Sequence, residues 1–318
     1  MRCSLCLVVV LLMLGALPAR AQTSSALILV PWGDDDRVEI ANSLWFGYDG
    51  NASNGGADVD LFRFSSVGRA RPSAEDADWA VGWKYSHLDI DTTDAALPER
   101  LIDQAIAGGV KMGTFDRWEW GFVAGLGYAG NAPYNDGDAW YAVGSLAAST
   151  RLDNGATLTV LLDYDGNRNV LPDVPLPGVA YAHRFGETLR YTVGLPVNSV
   201  TWTPDARWKV RGLWVVPYGF GLDAEYALTD DWTLFGGYTS QTTGYHVQGD
   251  DENRRLFFEQ DRVELGARWK LGDAADLVGA VGYAFDQSFE RGYDTRDTDT
   301  IRDVSDEPFF RLALNFRF

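Results

Sequence analysis

Alternation with a period of two residues runs through this chain up to its last residue and constrains the fold more than any other feature. Over residues 118–128, Trp118, Trp120, Phe122, Ala124, Leu126 and Tyr128 share one face, while Glu119, Gly121, Val123, Gly125 and Gly127 share the other. The same reading applies over residues 157–164, 218–228 and 262–271, with the charges on the non-aromatic face. Successive side chains of a strand point to opposite faces, so each segment reads as a strand with one bulky apolar face and one small or charged face. No apolar run beyond residue 21 approaches the roughly 20 residues of a spanning helix. If the chain crosses a membrane, it does so as strands, whose backbone groups can all be paired only in a closed barrel.

The carboxyl end separates a membrane barrel from a soluble sandwich. There Phe310, Leu312, Leu314, Phe316 and Phe318 alternate with Arg311, Ala313, Asn315 and Arg317. A terminal strand ending in Phe resembles the assembly signal of outer-membrane barrels. The fold expected is an all-β, transmembrane, antiparallel up-and-down barrel with a best count of sixteen strands and a range of twelve to sixteen. With the last strand descending to the periplasm, short turns at 153–155, 186–187, 204–206, 229–231 and 272–275 face inward to the cell. The longer connections, 49–57, 91–104, 131–137, 166–177, 241–254 and 287–307, face outward. Strands between 188 and 215 read as short, broken by Pro196 and Pro204.

The amino terminus agrees with this destination. Arg2 precedes an apolar run over residues 5–17, and Pro18, Ala19, Arg20 and Ala21 follow, which is the pattern of a signal peptide cut before Gln22. The expected division is 1–21 signal peptide, 22–36 periplasmic segment and 37–318 barrel, leaving 318 − 21 = 297 mature residues. Cys3 and Cys6 leave with the signal, so neither a disulfide framework nor a thiolate metal site is expected. Loss of Arg2 and Arg20 takes the formal charge from −18 to −20, which disfavours nucleic acid as a partner.

One stretch carries a family likeness. Leu-Pro-Gly-Val-Ala-Tyr at 176–181, Tyr-Thr-Val-Gly-Leu-Pro at 191–196 and Trp-Thr-Pro at 202–204 are followed by Glu-Tyr-Ala-Leu at 225–228 and Trp-Thr-Leu-Phe at 232–235. Together they resemble an uncharacterised family of bacterial outer-membrane β-barrels, from about residue 75 to the end. The resemblance implies fold and location; it implies no activity and no functional residues.

The interior then holds the candidate chemistry. In a hairpin centred on Pro217 facing residues have numbers summing to 434, so Arg211 meets Asp223 and Lys209 meets Glu225. A hairpin at 273–275 with sum 548 sets Arg262 opposite Asp286. With Glu264 and Arg268 these make a set of lumen charges. Val170, Leu171, Val174 and Leu176, on a Pro-rich outer connection, could fold into the mouth as a constriction or form a rigid loop that covers itself.

His87, His183 and His246 sit in no zinc or serine-hydrolase pattern. The loop acids Asp294, Asp297, Asp299 and Asp303, with Asp250, Asp251 and Glu252, invite a calcium reading, but no glycine takes the sharp-turn position and Arg296 and Arg302 interrupt them. No catalytic residue, metal or cofactor is expected.

On the outside, Trp45, Trp79, Trp83, Trp118, Trp120, Trp232 and Trp269 are expected to face lipid. Trp45 is the exception in parity, since Val38, Ile40, Leu44, Phe46 and Tyr48 occupy the other face and would turn it inward. The expected partners are outer-membrane lipid and lipopolysaccharide, the barrel assembly machinery during biogenesis, and small solutes. The function this suggests is a passive channel or transporter for small solutes. The rivals are a plugged structural or surface-interaction barrel and a membrane-embedded lipid hydrolase.

Overall fold

The computed structural model describes residues 37–48, 50–52, 57–73, 77–216 and 219–318. The expected signal peptide, the segment 22–36 and the turn residues Pro217 and Tyr218 lie outside them. The strands are β1 (Val38–Gly47), β2 (Gly50–Asn51), β3 (Asp58–Ala70), β4 (Trp79–Thr92), β5 (Arg100–Phe115), β6 (Trp118–Gly130), β7 (Trp140–Arg151), β8 (Thr157–Asp165) and β9 (Leu176–Phe185). They continue as β10 (Leu189–Leu195), β11 (Val197–Trp202), β12 (Trp208–Val215), β13 (Gly219–Ala227), β14 (Trp232–His246), β15 (Arg255–Lys270), β16 (Ala275–Gly292), β17 (Thr298–Val304) and β18 (Glu307–Arg317).

These segments form sixteen staves, because β2 prolongs β1 and β17 prolongs β18 along β16. Neighbours in sequence pair antiparallel, and β1 closes the ring against β18 from Glu39↔Arg317 to Gly47↔Phe309. The expected all-β barrel is the fold observed. Two outer connections are shorter than the sequence suggests, since β14 runs on to His246 and β16 to Gly292. Above the apolar belt these strands are still paired, although their side chains turn polar.

The alternation resolves into an outside and an inside. Phe122, Leu126, Val160, Leu162, Phe220, Leu222, Val263, Leu265 and Leu312 are exposed on the outer face. Trp79, Trp202, Trp208, Trp232 and Trp269 ring the end of the short turns, with Trp140 and Trp214 at the other end. Trp232 and Trp269 stack across β14 and β15 at 5.6 Å. Of the tryptophans expected to face lipid, Trp45 alone turns inward and is 2% exposed.

The wall is uneven. β14, β15 and β16 have 15, 16 and 18 residues, whereas β10, β11 and β12 have 7, 6 and 8. A spanning strand takes about 9 to 11, so β10–β12 make a low wall beside a tall one. Pro196 ends β10 at its outer end and Pro204 stands in the turn after β11, because proline cannot donate to the ladder.

Candidate functional site: the barrel interior

The height difference decides the shape of the interior. Pairing of β13 with β14 stops at Phe220↔Ser240, so residues 241–245 of β14 have β15 on one side and, among the described residues, no strand paired on the other. Unpaired backbone groups need partners, and two distant segments supply them. The side-chain amides of Asn167 and Asn169, from the connection after β8, donate to the carbonyls of Gly244 and Thr242 at 3.1 and 2.7 Å. The end of β6 then meets β14 in a parallel bridge, Gly130↔His246, continued by the Asn131 amide on the His246 carbonyl. The outer end of the barrel is therefore pinched into a smaller ring of tall strands that leaves β9–β13 out.

That smaller ring is packed. Trp45, Leu61, Leu88, Leu101, Tyr141, Tyr245, Leu256, Phe258, Phe289 and Phe309 form one buried apolar cluster from strands all round it. Phe258 packs against Phe289 with tilted rings at 4.8 Å, and Trp45 against Phe309 at 5.5 Å. Glycines make room for the rings: a Cβ at Gly282 would lie 2.4 Å from the Phe309 ring, and one at Gly127 2.1 Å from that of Tyr141. Leu97, in the connection between β4 and β5, caps the cluster from outside.

The low side is different. The inward residues of β9, β10 and β11 include Gly178, Ala180, Thr192, Gly194, Ser199 and Thr201, and all are partly accessible. Next to them stand the charges the sequence singles out. Arg211 faces Asp223 and Lys209 faces Glu225 in the observed register. Arg211 donates to Asp223 at 2.9 Å and to Glu225 at 2.6 Å, and Arg268 reaches the same Glu225 oxygen at 2.7 Å from β15. Glu264 receives a two-pronged contact from Arg311, both bonds 2.9 Å, across β16. Sequence reasoning left Arg311 out of the set, although its inward parity on the terminal strand was already visible.

The second hairpin differs from the arithmetic. Gly272 takes φ +79 and the Leu271 amide bonds the Ala275 carbonyl, so pairs sum to 546 and Arg262 faces Ala284. Arg262 meets Gln241 at 3.5 Å instead. Asp286 is exposed at a bulge, with φ 46, and is not opposite Arg262. The turn pivots one position earlier because a glycine can adopt the left-handed backbone at no steric cost.

Val170, Leu171, Val174 and Leu176 belong to the connection that carries Asn167 and Asn169, and none joins the apolar cluster. The Leu171 amide bonds Asp294, and Arg255 ties the Asn167 side chain and the Arg168 carbonyl to the Tyr293 carbonyl. Loop acids are met by arginines: Asp294 by Arg296, Asp250 by Arg291 and Asp299 by Arg254. Among the described residues no group of three or more acids, histidines or cysteines is placed to hold a metal.

His87 lies on the outer face between Tyr85 and Asp89, at 3.2 and 2.9 Å, and its neighbours across the strands are Phe64 and Ile102. His183 bonds Tyr191.

A closed barrel with an outward apolar band and tryptophan at both rims is the architecture of an outer-membrane protein. No family model matches this chain, and no curated protein matches it. Solved structures are similar to it in outline. Acinetobacter baumannii outer membrane protein Omp33 is 10% identical, TM-score 0.37, over 90% of this chain and 100% of that one. A Pseudomonas aeruginosa FadL homologue is 11% identical, TM-score 0.42, over 93% of each. An outer membrane channel from Pseudomonas putida F1 is 11% identical, TM-score 0.39, over 90% of this chain and 97% of that one. At such scores the case for function rests on this chain's own residues.

Proposed function

We propose that this outer-membrane barrel is a passive channel for small solutes, with passage along the low wall and not through the packed tall ring. The observation that carries the reading is the inner face of β9–β11, where Gly178, Ala180, Thr192, Gly194, Ser199 and Thr201 leave accessible space. Barrels of roughly 16 to 18 strands are too wide for short side chains to fill. Charge on this side is unbalanced: Arg184, Arg190, Lys209 and Arg211 have inward parity against Asp223 and Glu225. Such a wall favours anions. On this reading the connection bearing Val170, Leu171, Val174 and Leu176, tied to β14 through Asn167 and Asn169, is the constriction at the outer end of the passage.

Conductance across a planar bilayer tests the proposal. The wild-type barrel is expected to conduct with a preference for anions, and Ser199→Trp, which adds an indole to the low side, to lower the conductance. A wild-type barrel that never conducts overturns the reading. It would favour the plugged structural barrel, which the apolar packing of the tall ring supports. A lipid hydrolase finds less support, since His87 and His183 contact tyrosine and aspartate and not a serine hydroxyl.

A further inference from the structure

Inside the tall ring, Arg63 and Trp45 face each other across β3 and β1. Arg63 is 8% exposed and Trp45 2%. The guanidinium lies over the Trp45 ring at 5.9 Å and over the Phe258 ring at 5.4 Å, the latter reached from β15 on the far side. Its Nε finds no hydrogen-bond partner among the described residues, and neither does the Trp45 indole Nε1. Among the described residues no carboxylate forms an ion pair with Arg63. Several other cations of the interior have polar partners: Arg69 meets Glu39, Lys84 meets Asp103, Arg211 meets Asp223 and Glu225, Arg311 meets Glu264, and Arg255 meets the Arg168 and Tyr293 carbonyls. Arg63 thus stands apart, a buried cation held by aromatic faces beside a second unpartnered donor.

Burying a charge without a counter-charge is costly, and an unmet N–H adds to that cost. Both donors point to the same kind of ligand, one that only accepts. The residues beside them are not apolar throughout. One step along the inner rows lie Ser43, Ser65 and Ser86, paired in register across β1, β3 and β4 and partly accessible from the interior. We propose that Arg63 and Trp45, with the serine row beside them, form a binding site for a small monovalent anion, a halide or the carboxylate of a small solute. Guanidinium and indole N–H supply the donors, and the rings of Trp45 and Phe258 exclude water from one side and strengthen the electrostatics.

The site is separate from conduction, so its test reads binding and not current. Sodium bromide and sodium acetate are titrated calorimetrically into the purified barrel in detergent, in a sulfate background of fixed ionic strength. Wild-type barrel is expected to bind bromide saturably; binding of acetate as well assigns the site to carboxylate-bearing solutes, and bromide alone assigns it to halide. Arg63→Met should abolish binding, and Trp45→Phe, which keeps a ring and removes the N–H, should weaken it about tenfold. Circular dichroism checks that each variant is folded; if Arg63→Met does not fold, Trp45→Phe decides. Failure of wild type to bind either anion, or equal binding by a folded variant, overturns the assignment.

Discussion

The tall wall from β14 round to β6 and the low wall of β9–β13 use the same alternation outside and opposite solutions inside. On the tall side the inner rows carry Leu61, Leu88, Leu101, Phe258 and Phe289, and the strands close a ring small enough for these to meet. On the low side the inner rows are glycine, alanine, serine and threonine with a cluster of ion pairs, and among the described residues they contribute none of the large buried rings of the apolar cluster. Outer rows set the lipid surface and so are common to both; inner rows decide whether the ring holds a core or a passage. What fixes the boundary is strand length. Where β13 stops at Gly219 and β14 continues to His246, the exposed edge recruits Asn167, Asn169 and Gly130, and the barrel narrows.

The largest effect expected from this difference is on stability. Phe258→Ala empties the centre of the tall ring and should cost about 3–5 kcal/mol in denaturant unfolding. Ser199→Ala on the low side should stay within about 0.5 kcal/mol. Equal and small effects would mean that the apolar cluster is not a core.

A second contrast asks whether both walls span the same bilayer. Leu222 on the low wall and Leu265 on the tall one are both exposed outward and lie near one level in the register. An arginine facing the midplane costs roughly 2–4 kcal/mol. Leu222→Arg and Leu265→Arg should therefore destabilise the folded barrel in vesicles to similar extents. A penalty at Leu265 with almost none at Leu222 would place the low wall in thinned or displaced lipid.

Much of this could be read from residues alone, and the limits follow from range. Parity assigned the faces of β6, β8, β13, β15 and β18, because one residue of slip would move every aromatic to the wrong side. It also turned Trp45 inward, against the expectation for tryptophan as a class. The register of β12 on β13 followed from the turn, since pairs such as Arg211 and Asp223 are separated by few residues. Asp286 was misplaced because a glycine pivot and a bulge each shift the count. The pinching was not legible at all. It rests on asparagine amides and backbone carbonyls more than seventy positions apart in the chain, as Asn167 and Gly244 are, and such bonds leave no periodicity. The setting of Arg63 was likewise invisible, because what distinguishes it is a hydrogen bond it lacks among the described residues.

The smallest effect concerns the cap of the tall ring and its response to acid. Leu97 enters the apolar cluster from the connection between β4 and β5, and its amide bonds the Asp94 carbonyl at 3.1 Å. Asp94 in turn accepts hydrogen bonds from Arg302 on β17, one of them at 3.3 Å, and from the Ala96 amide at 2.9 Å. The bond from Arg302, then that from Ala96, hold the Asp94 carboxyl below the usual carboxylate range. A group whose pKa is lower folded than unfolded contributes stability that is fully present above its unfolded value, near 3.9 for aspartate, and is lost as pH falls through the lower folded value. The cap should accordingly stay docked down to about pH 4 and loosen only in stronger acid. Hydrogen exchange at the Leu97 amide, corrected for the intrinsic rate, reads this directly: protection should fall below that pH in the wild type. Asp94→Asn keeps the shape but not the charge, so its Leu97 protection should be lower at neutral pH and nearly independent of pH. Protection in the wild type that ignores acid, or an Asp94→Asn variant that titrates as the wild type does, would assign the cap to apolar contact alone and remove the ion pair from its control.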